Sequence, residues 1–203
     1  MITQNKHTLE QMTPEKALDL LKAGNHRFLN NKQEERDLLE QKTSTSSGQY
    51  PFAVILGCVD SRVPPELVFD LGIGDVFSIR IAGNFVNEDI LGSMEFATKV
   101  VGSKQILVMG HTSCGAIQGA KDQVELGNLT GLVNKLQPAV EAVRNEVGPD
   151  DNLDINRIAT ANVKLTIEDI KMKSPILLEM LEKNEIGITG AMYDISTGKV
   201  EFL

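Results

Sequence analysis

Two short apolar runs, each ending on residue types that bind metals, constrain this chain most. Phe52-Ala53-Val54-Ile55-Leu56 leads into Cys58-Val59-Asp60-Ser61-Arg62, and Gln105-Ile106-Leu107-Val108-Met109 leads into Gly110-His111-Thr112-Ser113-Cys114-Gly115. Short β-rich runs without polar alternation read as strands buried on both faces, the habit of parallel sheets. Open α/β sheets place their ligands at the carboxyl ends of such strands. Both cysteines of the chain and one of its three histidines therefore fall at strand ends that can be neighbours. Two thiolates and an imidazole suit zinc. A structural zinc site closes its shell with four protein ligands, whereas three ligands and an open position form a catalytic site. With no third cysteine to close the shell, Cys58, His111 and Cys114 predict a catalytic centre holding one Zn2+ per chain. Two inert buried cysteines, or a disulfide between them, are the plainer readings of the same residues.

The combination Cys-x-Asp-Ser-Arg and His-x-x-Cys resembles the β-class carbonic anhydrases of bacteria, and the likeness extends through most of residues 49–119. Val63-Pro64-Pro65-Glu66, Gly74-Asp75-Val76-Phe77, Arg80 and Ala82-Gly83-Asn84 belong to the same pattern, while the N-terminal helices and the region after about residue 125 match it loosely. The resemblance implies reversible hydration of CO2 to bicarbonate and a proton by zinc-bound hydroxide. Asp60 would accept a hydrogen bond from the bound water or hydroxide, and Arg62 would hold Asp60 in a two-pronged charge-assisted pair. Without that hold, the family's aspartate can itself ligate the zinc. The resemblance also assigns substrate-side positions to Gln49, Phe77, Ala82, Phe96 and Gly115. Ala82 and Gly115 would leave room for CO2. Gln49, Phe77 and Phe96 would face the zinc of a neighbouring subunit in a homodimer or a dimer of dimers, with the N-terminal helix as an embracing arm. The dull alternatives are a loop salt bridge for Asp60 and Arg62, an exposed amide for Gln49 and core packing for the two phenylalanines. A hydrolase of a CO2-like molecule such as carbon disulfide and a non-catalytic zinc-stabilised interaction domain are the competing functions.

Composition removes other classes. A chain of 203 residues is long enough for one domain with a full core. It divides into an N-terminal helical arm (1–48), a zinc-site core (49–125), and C-terminal helices with edge strands (126–203). A net charge of −8 repels phosphate backbones and argues against a nucleic-acid partner. No apolar run is long enough to cross a bilayer, and the polar stretch Met1 to Gln11 has no secretory-signal core. A reducing cytoplasm is the simplest home for a chain whose two cysteines both lie in the proposed site. His7 and His26, imaginable as proton shuttles, are read as surface residues. Because the chain lacks tryptophan, the tryptophan-containing bicarbonate pocket that regulates some members of the family cannot form in its usual way.

Local signals order the rest. Thr13-Pro14-Glu15 starts a helix with an apolar stripe of Leu18, Leu21 and Phe28. A charged segment from about Glu34 to Lys42 and a loop from Thr43 to Gly48 follow. Pro64 opens a short helix, and Gly72 to Asp75 turns the chain into a strand from Val76 to Ile81. Asn87 to Val101 reads as one helix stopped by Gly102. Another helix begins near Cys114, and a further one covers Leu132 to Val147 with Pro138 in its first turn or at a kink. Ile155 to Ile170 predicts a helix starting near Asp151 or Asn152, and Ser174-Pro175 opens the next. Ile186 to Leu203 reads as strand, turn, strand. The fold class is α/β, a mostly parallel central sheet flanked by helices, with an N-terminal helical arm and a C-terminal edge strand or hairpin.

Overall fold

The apolar runs become the centre of a five-stranded sheet in the computed structural model, which describes residues 3–148 and 153–203. Strands β1 (Ala53–Gly57) and β3 (Gln105–His111) are buried at every residue. With β2 (Val76–Arg80), β4 (Gly187–Tyr193) and β5 (Val200–Phe202) they form the order β2-β1-β3-β4-β5. The first four strands run parallel, and β5 closes the sheet as an antiparallel edge against β4. The pairing sets Leu56 against Val108, so the residues after β1 and at the end of β3 emerge on the same edge of the sheet. That edge is where an open parallel sheet presents a ligand site.

Helices cover both faces. A short α1 (Lys6–Glu10) precedes α2 (Pro14–Leu29), whose Thr13 hydroxyl accepts the amide of Lys16 and whose first residue is proline. Ala17 and Leu21 of α2 are fully buried within their own chain, while Leu18 and Phe28 of the same helix stay partly exposed. Gly24 lets α2 lie against the segment after α4 (Pro65–Val68): a Cβ there would come within 1.8 Å of the Phe69 carbonyl oxygen. Asn25 donates to the carbonyls of Val68 and Gly198 and accepts the amide of Val200, joining α2 to the C-terminal hairpin.

Two expected boundaries shift for physical reasons, and one helix keeps its bounds while its hydrogen-bond ladder changes. The charged segment is helical only as α3 (Leu38–Ser44), capped by Asp37. Ahead of it, Arg36 and the Glu34 amide reach Asp70, which also pairs with Arg27. The helix expected from Asn87 is α5 (Glu88–Glu95), continuing as a π-helical turn over Phe96–Val101 that Gly102 ends in the left-handed region. Inside it the Thr98 hydroxyl donates to the Met94 carbonyl, the kind of back-bond that loosens a helical ladder. Past α6 (Gly115–Lys121), the stretch expected as one helix from Leu132 is split into α7 (Gly127–Asn134) and α8 (Gln137–Val147). Pro138, with no amide hydrogen and a ring that crowds the preceding turn, sits in the first turn of α8. Asp154 caps α9 (Ile155–Lys173); the expected start at Asp151 or Asn152 lies outside the described residues. Ser174 caps α10 (Pro175–Glu182) through the amide of Leu177. None of the described helices is long and apolar enough to cross a membrane.

The Asp70 side chain is 3% exposed between two guanidinium groups. Asp70→Ala removes the anion both are built around and should cost about 3 kcal/mol in urea unfolding. Removing Glu146, the exposed partner of Arg157, should cost under about 1 kcal/mol. Equal losses would show the buried cluster to be dispensable.

Candidate metal centre

Cys58 is the first residue beyond β1, His111 the last of β3, and Cys114 the residue before α6. Ser113 makes the turn between His111 and Cys114 in the left-handed region, at φ 55°. All three side chains are buried, and their donor atoms lie within 4.8 Å of one another. The two sulfurs are 4.0 Å apart and both cysteines are free. No other group of three or more such donors occurs among the described residues.

The histidine is oriented by its own loop. Nδ1 lies 2.9 Å from the Thr112 carbonyl, an acceptor, so Nδ1 carries the proton and Nε2 presents its lone pair. Nε2 is buried with no hydrogen-bond partner and lies 3.9 Å from Asp60 Oδ2. A buried imidazole nitrogen without a partner is costly unless something in the pocket accepts its lone pair. Together with two sulfurs it forms a three-donor set that fits zinc.

The sulfurs have opposite proton affinities. The neighbouring Cys114 sulfur, 4.0 Å away, is the main influence lowering the Cys58 thiol below its ordinary pKa; burial opposes this, and the Gly83 and Asp60 backbone groups assist it. Cys114 is pushed up by the Cys58 sulfur beside it and by burial. The Gly83 amide also points at the Cys58 sulfur, at 3.4 Å. Gly83 has φ 79° and a Cβ there would meet Leu136 at 2.6 Å, so this amide approaches the sulfur only with glycine in place.

Asp60 and Arg62 form the pair expected of them. Arg62 Nε donates to Oδ1 at 2.9 Å, Nη2 to Oδ2 at 2.7 Å, and the Arg62 amide to Oδ1 at 2.9 Å. The Arg62 guanidinium is the main reason the Asp60 carboxyl is held well below the usual carboxylate range; partial burial works against it. Arg80, on the edge strand β2, donates from Nε to the Cys58 carbonyl at 2.8 Å and from Nη2 to the Asp60 carbonyl at 2.5 Å. The loop carrying one ligand and the carboxylate is therefore tied to the sheet by a cation.

A carbonic anhydrase family profile matches residues 53–200. The protein named Carbonic anhydrase 2 of Mycobacterium tuberculosis is 34% identical over 190 residues, covering 92% of this chain and 91% of that protein. A carbonic anhydrase of Mycolicibacterium smegmatis is 32% identical over 193 residues, covering 93% and 92%. The crystal structure of the β-carbonic anhydrase CafA of Aspergillus fumigatus superposes with a TM-score of 0.74 at 26% identity, over 93% of this chain and 89% of that one. The chain belongs to the β-class carbonic anhydrases. A chain from the crystal structures of two tetrameric β-carbonic anhydrases of Sordaria macrospora shares the fold at 24% identity and a TM-score of 0.73, over 98% of each chain.

Within one subunit of this β-carbonic anhydrase, the other expected positions divide in two. Ala82 is half-buried two residues beyond Arg80 and adjoins Gly83, at the cluster end of the sheet. Gly115 is exposed next to Cys114, and apart from its chain neighbours and its own helix backbone nothing lies within 4 Å of a Cβ placed there, so open space adjoins it. Gln49 is exposed ahead of β1, at the opposite end of that strand from Cys58. Phe77 pairs with Val54, four residues before Cys58, or roughly 13 Å along the strand. Phe96 packs edge-on against Phe77 at 6.0 Å and is 47% exposed. One chain does not bring these three to its own cluster. The Arg80 and Gly83 contacts were not assigned from sequence, although both residues stand in the family pattern. The Thr112 carbonyl is main chain, and no residue letter announces it.

Purified protein should carry one metal ion per chain. Cys58→Ser, His111→Ala and Cys114→Ser should each lower the content to near zero after dialysis against a chelator, with the circular dichroism spectrum retained. Elemental analysis checks this, and a variant lacking one donor that still holds a full equivalent would refute the ligand set.

Proposed function

We propose that this chain interconverts CO2 and bicarbonate using one zinc held by Cys58, His111 and Cys114. The observation that carries the reading is the convergence of the unpartnered His111 Nε2 and two sulfurs beside a carboxylate already committed to an arginine. When bound, zinc acidifies water and supplies a hydroxide nucleophile near neutral pH. Two thiolates cancel the charge of the cation, so this acidification is weaker than with three neutral imidazoles. The chain's own groups then matter more.

Asp60 is one such group. Its Oδ2, 3.9 Å from the ligating nitrogen of His111, is placed to accept a hydrogen bond from water and turn that oxygen's lone pair toward a CO2 carbon. Arg62 occupies both carboxylate oxygens with donors and so keeps Asp60 from competing as a metal ligand. Because the Asp60 pKa is depressed, the pair is charged throughout the neutral range. Its contribution to folding is present above the ordinary carboxylate pKa and is lost only as pH falls toward the depressed value. Half-exposed Arg62 also places positive charge where bicarbonate leaves.

Stopped-flow CO2 hydration on zinc-loaded protein tests the reaction, with carbon disulfide as a parallel substrate. Turnover of CO2 is the expected result; turnover of carbon disulfide alone, or of neither, would overturn it. Asp60→Asn should keep its zinc and lose about 100-fold in CO2 hydration, on the scale of a positioned proton acceptor. Arg62→Ala should also keep zinc and lose activity, because the freed carboxylate occupies the open position. Full activity in both variants would reduce the pair to a loop salt bridge.

The same reading makes the active unit a homodimer or a dimer of dimers in which Gln49, Phe77 and Phe96 of one subunit face the zinc of its neighbour. Support comes from the exposed Phe96, its contact with Phe77, and the position of β2 as a sheet edge with an open side. Sedimentation should show a dimer or larger. Phe96→Asp should weaken association and lower activity while zinc stays bound. A fully active monomer at assay concentration would contradict this arrangement.

A further inference from the structure

We propose that Asn156, at the start of α9, is a positioning residue for the ligand-bearing turn His111–Cys114; the inference rests on the metal reading above. The turn has little support of its own. β3 ends at His111 and α6 starts at Gly115, so Ser113 belongs to neither hydrogen-bond ladder. Ser113 is also a non-glycine residue at φ 55°, a conformation that persists only where its surroundings hold it. Its amide donates to Asn156 Oδ1 at 3.0 Å, a contact spanning 43 residues of sequence.

Asn156 is itself anchored. Its amide donates to Oδ1 of the capping Asp154 at 2.9 Å, and its carbonyl accepts the Thr160 hydroxyl at 2.9 Å. Ile158, Ala159 and Val163 bury the same helix against the sheet. The side-chain oxygen of Asn156 is therefore presented to the turn from a packed helix. Neighbouring bonds fix the rest of the turn but not this amide. The Thr112 amide donates to the Tyr193 carbonyl at 2.9 Å, and the Ile195 amide to Thr112 Oγ1 at 3.1 Å. Arg62 Nη2 lies 3.5 Å from the Ser113 carbonyl, linking the turn to the Asp60 loop. With Thr112 held by β4 and Ser113 by α9, the His111 ring and the Cys114 sulfur face one point. Losing the Asn156 oxygen frees Ser113 to leave the left-handed region, and the relative placement of the two ligands goes with it.

The role predicts an effect on metal holding that is separate from folding. Asn156 is exposed, so Asn156→Ala should shift the melting temperature of the metal-free protein by no more than about 2 °C. In the metal-loaded protein it should speed metal loss to a competing chelator about tenfold, as removal of an outer partner of a ligand does. It should also change the visible absorption of the cobalt-substituted form. Asn156→Asp keeps an oxygen acceptor, and its charge is favourable near the start of a helix. It should restore wild-type metal retention and the cobalt spectrum. Three results would overturn the proposal: wild-type retention in Asn156→Ala, equal loss in Asn156→Asp, or metal loss matched by unfolding of the metal-free protein. Wild-type protein that retains no metal would instead refute the metal reading, and this inference with it.

Discussion

Everything distinctive about this chain depends on two sulfurs and one imidazole nitrogen converging at the carboxyl ends of adjacent buried strands. The register of β1 on β3 brings them there: Leu56 lies opposite Val108, and the chains then leave the sheet on the same edge with Cys58 and His111. A slip of one residue would turn every side chain of a strand to the opposite face. Both strands are buried from end to end, so any such slip meets packed side chains on either face. The hydrophobic core fixes the distance between ligands that no single loop could fix alone.

Around that convergence, polar groups are held by partners that differ in kind. Thr112 orients the His111 ring through a carbonyl, Gly83 offers an amide to Cys58, and Arg80 ties the Cys58 and Asp60 carbonyls to the edge strand. Arg62 then occupies Asp60. The outcome is a pocket in which the carboxylate beside the candidate metal donors is under restraint by an arginine. A closed structural zinc site has no use for such a restraint, whereas a site that must leave one position open does.

The sequence makes the candidate metal donors and most of the fold readable because those signals are local. Cys58, His111 and Cys114 sit at the ends of unmistakable apolar runs, and Thr13-Pro14 and Ser174-Pro175 cap the helices they announce. What escaped depends on contacts distant in sequence. The extended stretch before α3 exists because Arg36 reaches Asp70, 34 residues away, and no periodicity records that pull. Arg80 reaches Cys58 across 22 residues, and Asn156 reaches Ser113 across 43. The π-helical turn after Glu95 and the break ahead of α8 are local by contrast, with the Thr98 back-bond and the Pro138 ring interrupting good helical spacing. Gln49, Phe77 and Phe96 are a separate case: a single chain holds them at the far end of the strands from its own cluster, so their proposed role needs a second subunit.

Zinc X-ray absorption on the wild-type protein tests the central claim most directly. Cys58, His111 and Cys114 with one open position predict two sulfur scatterers at about 2.3 Å and two nitrogen or oxygen scatterers at about 2.0–2.1 Å. In His111→Ala forced to hold zinc at high concentration, the outer-shell scattering of the imidazole ring should disappear. A shell without sulfur, or one with more than two sulfurs, would contradict the account.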